Sequence, residues 1–161
     1  SFIDSDIIYD GTQRGGVIYS YAQVAFTVAE AAVRGWTSES AADWYAKGVQ
    51  ASMDQWGISA TDATAYLAQS EVQFNASKAM EQIATEKWVS LYLQGFEAWA
   101  EWRRLDYPQL SAAPDALTGS GIPKRYGYSA NVATLNEANY NAAVSAQGAD
   151  TQDTKLWWDK K

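Results

Sequence analysis

Apolar residues recur every three or four positions along most of the first 108 residues, which is the period of an α-helix that buries one face. The pattern predicts a first helix from Val17 to Arg34, with Gly35 ending it in the left-handed conformation. One face of this helix is apolar, and a neighbouring face consists of alanines, whose small side chains let a second helix approach closely. The two faces are formed by Val17, Tyr21, Val24 and Val28, and by Ala22, Ala25, Ala29 and Ala32.

A second helix is predicted after a short connection, so that the two helices form an antiparallel pair. Ser38 or Ser40 can cap its start, and Gly57 stops it. The spacing of Ala22 and Phe26 also matches the alanine-x3-phenylalanine part of the tetratricopeptide pattern. Alanine is too frequent for this match to decide the fold alone, but it agrees with the predicted helix pair.

The longest helical periodicity lies between Lys78 and Pro108. One apolar stripe with spacings of four and three residues is formed by Met80, Ala84, Trp88, Leu91, Gly95, Trp99 and Trp102. A second stripe covers much of the opposite side, so the helix must be enclosed by its neighbours. We therefore predict one central aromatic helix, with a kink at Gly95 as an open alternative. Tyr107-Pro108 should stop it, because the residue before a proline is pushed out of the α region.

The chain changes character after Pro108. Residues 109–121 are rich in Ser, Ala, Gly and Pro, which is typical of a surface loop, and one helix is predicted from Asn136 to Gly148. We expect an irregular lead-in over 1–16 and a helical core over 17–108, which contains the tetratricopeptide-like pair and the central helix. Residues 109–161 should form a loop-rich segment with one helix, packed on the core. The predicted fold class is all-α.

Composition excludes several kinds of function. The formal charge is −7 and no basic run exists, which argues against nucleic acid as a partner because phosphate binding needs clustered cations. The chain contains no cysteine and no histidine, which removes disulfides, thiol nucleophiles, the Ser-His-Asp relay and the usual zinc ligands. Asp150 and Asp153 resemble half of a calcium loop, but its glycine and glutamate are missing. We expect no metal, no cofactor and no transmembrane segment.

Two glutamates raise the question of catalysis. Glu97 and Glu101 lie four residues apart and share one face of the predicted helix, and paired carboxylates are the catalytic groups of glycoside hydrolases. Glu101 also precedes Arg104 by three residues, so a local ion pair is the favoured interpretation. Glu30 and Arg34, four residues apart, predict a second internal pair. We therefore expect no catalytic residue and no enzyme activity.

Aromatic residues are the candidates for ligand binding, because the flat faces of sugar rings stack on Trp and Tyr while sugar hydroxyls pair with polar side chains. The pattern along the central helix assigns a structural role to Trp88, Trp99, Trp102 and Arg104. Four aromatic residues at helix ends or in loops are candidate ligand-binding residues, with packing as the competing interpretation: Trp36, Trp56, Tyr126 and Tyr128. Trp157 and Trp158 predict that the tail docks on the body of the protein or on a partner.

Four segments, in this order, resemble the C-terminal part of SusD/RagB-type proteins. The first two are YAQVAF with AEAA and GW, between 21 and 36, and WYAKGV with ASM, between 44 and 53. The third runs from EKW through QGFEAW and RR to YP, between 86 and 108. The last joins IPKR with Tyr128 and Asn136 and ends in WWD, between 122 and 159. The order and spacing of the four across most of the chain make the resemblance specific.

SusD/RagB-type proteins are surface-exposed outer-membrane lipoproteins of Bacteroidetes glycan-uptake systems. The resemblance implies a helical fold with tetratricopeptide-like pairs, and binding of an oligosaccharide or polysaccharide without catalysis. It implies a SusC-like TonB-dependent transporter as the partner that receives the glycan, with this protein as its lid. It also implies a location at the cell surface on the outer membrane, with lipid anchoring through an N-terminal cysteine that this chain does not contain.

The chain departs from the family pattern after Tyr128, where Ser129-Ala130-Asn131 replaces the usual proline and glutamate, so we expect a different turn. The signal peptide, the lipidated cysteine and much of the helical repeat region are not in the sequence. We therefore expect a C-terminal scaffold portion of a larger protein. Two hypotheses follow: a glycan-binding, transporter-docking component, or a tetratricopeptide-like scaffold that binds a protein and no sugar.

Overall fold

The computed structural model describes residues 16–116 and 121–159, and all regular elements in this part of the chain are helical. In order they are α1 (Tyr21–Val33), α2 (Ala41–Gln55), α3 (Ala60–Leu67), a 3₁₀ turn (Ala76–Lys78), α4 (Ala79–Ser90), α5 (Gly95–Leu105), α6 (Ala130–Leu135) and α7 (Glu137–Gln147). The prediction of an all-α fold is confirmed for the described residues. The chain divides into two compact units, Ser1–Ala98 and Trp99–Lys161.

Helix α1 begins where a serine can satisfy its free N–H groups. Ser20 Oγ accepts a hydrogen bond from the Gln23 backbone N–H at 3.2 Å, and Gln23 Oε1 accepts one from the Ser20 N–H at 2.7 Å. This reciprocal capping box fixes the first turn. The helix consequently starts at Tyr21, four residues after the predicted start at Val17.

The predicted boundaries around the α1–α2 connection are confirmed. Gly35 follows α1 and Gly57 follows α2, with φ of +72° and +73°, the left-handed region that glycine adopts without steric cost. Of the two serines predicted as caps, Ser40 is the one that starts α2, and its side chain accepts from the Asp43 N–H at 3.3 Å.

Helices α1 and α2 pack against each other, and α4 packs against both. Phe26 and Tyr45 lie at the centre of this packing, fully buried, with ring centroids 6.2 Å apart. Gly48 makes the close approach possible, because a Cβ atom built on it would lie 2.6 to 2.7 Å from ring atoms of Phe26. The Tyr45 hydroxyl donates to the Val72 carbonyl at 2.9 Å and ties down the loop after α3.

Of the two faces predicted on α1, the alanine face is the buried one. The predicted apolar stripe is largely exposed, since Val17, Tyr21 and Val24 all lie at the surface. The close approach of α2 to the alanine face is confirmed, because these small side chains are buried where the two helices pack. Its buried members are Ala22, Ala25 and Ala29.

The predicted single central helix is wrong, because the structure has two helices, α4 and α5, separated by residues 91–94. Leu93 lies in this break with φ of +68°, a conformation that strains a leucine because its Cβ crowds the following carbonyl. Gly95 is the first residue of α5 and not a kink within a continuous helix. The apolar stripe concealed the break because Leu91 keeps helical spacing from Trp88 although it is the C-cap of α4.

In the second unit, α6 and α7 pack against each other. Only α7 corresponds to the helix predicted from Asn136 to Gly148; α6 has six residues, too few to show a periodic pattern. The unit boundary after Ala98 is a different division from the predicted segment boundary at 108, which stays a prediction. The expected lead-in over 1–16 lies outside the described residues, apart from Gly16.

Candidate functional site

The first unit carries an open cavity of about 590 Å³, which we call the apolar cleft. None of its lining side chains is charged, so it suits an apolar group. The lining residues come from the end of α2, from α4 and from the α4–α5 connection: Ser52, Met53, Trp56, Ile58, Trp88, Val89, Leu91, Tyr92, Leu93, Gly95 and Ala98.

Aromatic rings form one wall of the apolar cleft. Trp56 and Tyr92 pack edge to face, with ring centroids 5.4 Å apart and an interplanar angle of 68°. Trp56, predicted to bind ligand, and Trp88, predicted to be structural, are both half-buried and line the same cleft. Val89 and the strained Leu93 are more than half exposed there. Exposed apolar side chains around a cavity are typical of an interaction site.

A smaller cavity of about 350 Å³ shares Ile58 with the apolar cleft, and we call it the polar groove. Its lining combines one aromatic ring, three polar side chains and small apolar residues: Tyr21, Lys47, Gln50, Ala51, Asp54, Ile58, Ala60 and Ala63. Lys47, Gln50 and Asp54 follow one face of α2, because residues three, four and seven apart are neighbours on a helix. Sequence reasoning missed this groove because it grouped Tyr21 with the valines of an apolar face and did not consider it as a ligand-binding residue.

Trp36 lines neither cavity. It follows Gly35 after the end of α1, and 74% of its surface is exposed. The Arg34 guanidinium lies over its ring, with the central carbon 5.3 Å from the ring centroid. Trp36 therefore presents an accessible ring outside both of these cavities.

In the second unit, the loop before α6 presents both predicted tyrosines. Tyr126 is 69% exposed and packs edge to face on Trp99, with centroids 5.6 Å apart. Trp99 is half-buried, and its Nε1–H donates to the Pro123 carbonyl at 2.8 Å. The predicted structural residue Trp99 thus supports the predicted ligand residue Tyr126. Tyr128 is also exposed, and its ring packs edge to face on Tyr140, with centroids 5.8 Å apart.

Asp150 fixes this loop. Its carboxylate accepts hydrogen bonds from Arg125 Nη2 at 3.1 Å, from the Tyr128 backbone N–H at 3.1 and 3.2 Å, and from the Tyr140 hydroxyl at 3.3 Å. Both partners of the ion pair are largely buried, with side-chain exposures of 6% for Arg125 and 14% for Asp150. Sequence reasoning missed this role, since a contact over 25 residues between loops leaves no periodic signal.

Arg103 is the central cation of the second unit. Its guanidinium carbon lies 3.6 Å from the ring centroid of Trp99 and 4.9 Å from that of Trp158, and Nη1 donates to the Lys124 carbonyl at 2.7 Å. Burial lowers the pKa of Arg103, and the nearby Asp159 carboxylate opposes that shift. This stacking holds Trp158, which is 38% exposed, whereas Trp157 is 78% exposed.

The two predicted local ion pairs are confirmed. Arg34 Nε lies 2.8 Å from Glu30 Oε1, and Arg104 Nη2 lies 2.7 Å from Glu101 Oε2. Arg104, predicted to be structural, therefore neutralises one of the two glutamates considered for catalysis. Within the described residues, no cluster of three or more His, Cys, Asp or Glu could hold a metal ion.

Comparison with known families decides what kind of protein carries these surfaces. A model of SusD-like proteins, described as "Starch-binding associating with outer membrane", matches residues 3–129. The chain belongs to the SusD-like family. The matched region includes all four predicted ligand aromatics, whereas Asp150 and Trp158 of this SusD-like chain lie beyond it. None of the described helices is long and apolar enough to cross a membrane.

Solved SusD-like structures share the fold. A Bacteroidetes protein described as AC2a SusD-like is 34% identical with a TM-score of 0.82, over 91% of this chain and 31% of that chain. A SusD homologue from Bacteroides fragilis is 28% identical with a TM-score of 0.77, over 90% and 35% of the two chains. A chitin-binding SusD homologue from Flavobacterium johnsoniae is 26% identical with a TM-score of 0.73, over 87% and 36%.

This SusD-like chain thus spans about a third of the length of its solved relatives. Among curated proteins, none matches it. Its surfaces can recognise a ligand by ring stacking and hydrogen bonding. The structure groups Trp56 with Trp88 and Tyr92, Tyr126 with Trp99, and Tyr128 with Tyr140, while Trp36 packs with Arg34 outside both cavities.

Proposed function

We propose that this chain is the C-terminal scaffold portion of a surface glycan-binding protein that serves uptake of an oligosaccharide or polysaccharide. The observation that carries this proposal is the family match over residues 3–129, whose description is starch binding. The chitin-binding homologue among the solved relatives supports the same ligand class. The exposed rings of Trp36 and Tyr126 provide stacking faces for sugars.

The protein acts by binding and not by catalysis. The chain has no histidine or cysteine, and Arg104 neutralises Glu101, which removes one member of the Glu97–Glu101 pair from acid–base work. Incubation with soluble starch or chitin oligosaccharides should release no reducing ends. Release that disappears in a Glu97→Gln variant would instead indicate a glycosidase.

The partner in this proposal is a SusC-like TonB-dependent transporter, which receives the glycan at the outer membrane. The family description of outer-membrane association supports this location. A lipid on an N-terminal cysteine, which is not among these 161 residues, would hold the whole protein at the cell surface. Co-purification of the full gene product with the SusC-like transporter encoded beside it tests the partnership, and a gene with no such neighbour argues against it.

A tetratricopeptide-like protein-interaction scaffold is the second candidate. The apolar cleft favours it, because about 590 Å³ of space without a charged lining residue suits an apolar side chain better than a hydroxylated sugar. Such a scaffold would bind protein and no glycan.

Titration against neutral glycans separates the two candidates. We expect this chain to bind maltohexaose or N-acetylchitohexaose with a Kd near or above about 1 mM, roughly −4 kcal/mol, and the full gene product to bind more tightly. A sulphated polysaccharide serves as the charged control and should not compete. If the full gene product binds neither neutral glycan, the glycan-binding proposal is wrong and the scaffold remains.

A further inference from the structure

We infer that the polar groove beside α2 is a subsite for one or two residues of a neutral oligosaccharide, with the Tyr21 ring as its stacking platform. This inference rests on the proposed glycan binding and assigns it a place within the first unit. The volume of about 350 Å³ is near the lower end of the roughly 300–1,000 Å³ found for ligand pockets, which fits a short stretch of sugar.

The two cavities of the first unit differ in how well their lining residues match a sugar. A sugar ring presents apolar faces and a rim of hydroxyls, so its site must offer both a flat apolar surface and hydrogen-bonding groups. The apolar cleft offers rings with few polar groups, whereas the polar groove places Tyr21 beside Lys47, Gln50 and Asp54. Only the groove combines the two requirements among these described cavities.

The polar side chains of the groove are available to a ligand. Gln50 can both donate and accept, and Asp54 accepts. Among the described residues, neither side chain has a hydrogen-bond partner, and the same holds for the Tyr21 hydroxyl. A row of sugar hydroxyls can therefore pair with them without breaking an existing contact.

The charge of the groove favours a neutral ligand. Lys47 and Asp54 lie seven residues apart on the same face of α2 and carry opposite charges. The Lys47 ammonium also lies 4.1 Å from the ring centroid of Trp44, which holds it at one edge. An anionic sugar would gain from the lysine and lose at the aspartate, whereas a hydroxyl can pair with either.

The platform is fixed before a ligand arrives. Tyr21 is the first residue of α1, directly after Ser20, whose capping box with Gln23 is buried. The ring is nevertheless 58% exposed. A rigid backbone beneath an accessible ring lowers the ordering cost of binding. Ala60 and Ala63 line the groove with small side chains, which leaves room for a sugar ring.

Chemical-shift titration of the full chain with maltohexaose and, separately, N-acetylchitohexaose tests the inference. Tyr21→Ala should weaken binding about tenfold, and Gln50→Ala a few-fold, whereas Tyr21→Phe should stay within about twofold because it keeps the ring. Tyr19→Ala is the matched control, since Tyr19 is 59% exposed, lies two residues away and does not line the groove. Unchanged melting temperatures verify that each variant folds.

The outcomes separate this inference from the proposed function. Loss in Tyr21→Ala with retention in Tyr19→Ala supports the groove as the subsite. If the parent chain binds a glycan and Tyr21→Ala binds equally well, the groove assignment is wrong while glycan binding stands. If the parent chain binds neither glycan, the assignment fails together with glycan binding by this part of the protein.

Discussion

The two units hold their interiors together in different ways. The first unit places Phe26, Tyr45 and Ile83 at its centre, all fully buried, between helices that pack directly on each other. In the second unit, the buried Arg103 and Arg125 donate to the loop carbonyls of Lys124 and Tyr126. The first unit also buries two charged residues, Glu30 and Lys87, but these bond to the side chains of Arg34 and Thr27. Helices satisfy their own backbone groups, so apolar contacts suffice between them, whereas loops leave carbonyls that need donors.

Helix α5 shows how the second unit meets that need. Three of its side chains donate to loop carbonyls: Trp99 to Pro123 at 2.8 Å, Trp102 to Pro108 at 3.1 Å, and Arg103 to Lys124 at 2.7 Å. Indole and guanidinium groups suit this task because each combines a flat apolar body with an N–H donor. The comparison shows that, in loop-rich structure, N–H groups of aromatic and cationic side chains can donate the hydrogen bonds that backbone N–H groups donate within helices.

The largest effect should come from Trp102→Ala in the second unit. Trp102 is 7% exposed, donates to Pro108 and lies under the Lys124 ammonium, 3.9 Å from its ring centroid. Loss of this ring should cost about 3–5 kcal/mol in the free energy of unfolding, measured by denaturant titration. Trp36→Ala, at an exposed ring, should change it by less than about 0.5 kcal/mol. Equal effects would contradict the assignment of Trp102 to the interior.

Asp150→Asn tests whether charge holds the loop of the second unit. The substitution keeps the shape but removes the charge that faces Arg125, and a hydrogen bond to a charged group is worth about 1.5–3 kcal/mol. We expect a loss of about 2 kcal/mol and faster amide exchange at Tyr128. Asp115→Asn, at an exposed aspartate, is the control. Unchanged exchange at Tyr128 would mean that the carboxylate is not what orders the loop.

Gly48→Ala tests the direct helix packing of the first unit. The added methyl group would meet the buried Phe26 ring, which has no free space to move into, so α1 and α2 must separate. Overpacking of this kind costs about 1–3 kcal/mol. Gly95→Ala is the control because a Cβ atom there meets nothing within 4 Å. Calorimetry should show a lower Tm for the first variant alone; a tolerated Gly48→Ala would imply looser packing than the structure has.

The smallest effect concerns a titrating pair between α3 and α4. The Tyr66 hydroxyl donates to Glu86 Oε1 at 2.8 Å; burial raises the pKa of Glu86, and the hydrogen bond from Tyr66 opposes this shift. A raised pKa in the folded state means that the contribution of Glu86 to stability is complete below its unfolded pKa and is lost as pH rises through the folded pKa.

Glu86→Gln removes the buried charge. It should therefore raise the free energy of unfolding at pH 7 by less than about 1 kcal/mol, and the Tm with it. The advantage should shrink as the pH falls through the raised pKa of folded Glu86 and vanish below the ordinary glutamate pKa, where Glu86 is neutral in both the folded and the unfolded state. Glu81→Gln, at an exposed glutamate of the same helix, should show no such dependence. A variant that is less stable than the parent at pH 7 would show that the charged form of Glu86 is stabilising.

Local signals explain how far sequence reasoning reached. Ser40, Gly35 and Gly57 act within a few residues of where they stand, so the ends of α1 and α2 could be predicted. The pairs of Glu30 with Arg34 and of Glu101 with Arg104 follow from helical spacing in the same way.

What could not be predicted depends on contacts far apart in sequence or on competition between two apolar faces. Nothing local to Asp150 indicates Arg125 as its partner, and nothing local to Trp99 indicates Pro123. The sequence indicated that the alanine face would receive α2, but it did not show that the neighbouring stripe of Tyr21 with valines would then lie largely at the surface. The polar groove exists because of that outcome.

The break around Leu93 also reorganises the electrostatics of its two helices. The aligned peptide dipoles of a helix leave partial positive charge at its N-terminus and partial negative charge at its C-terminus. Glu81 lies in the first turn of α4 and Lys87 in its last turn. Glu97 lies in the first turn of α5 and Arg103 in its last turn. In one continuous helix, Lys87 and Glu97 would lie far from either helix end. The break places Lys87 at the negative C-terminal end of α4 and Glu97 at the positive N-terminal end of α5. Each of these charge–dipole interactions stabilises the fold by about 0.3–1 kcal/mol.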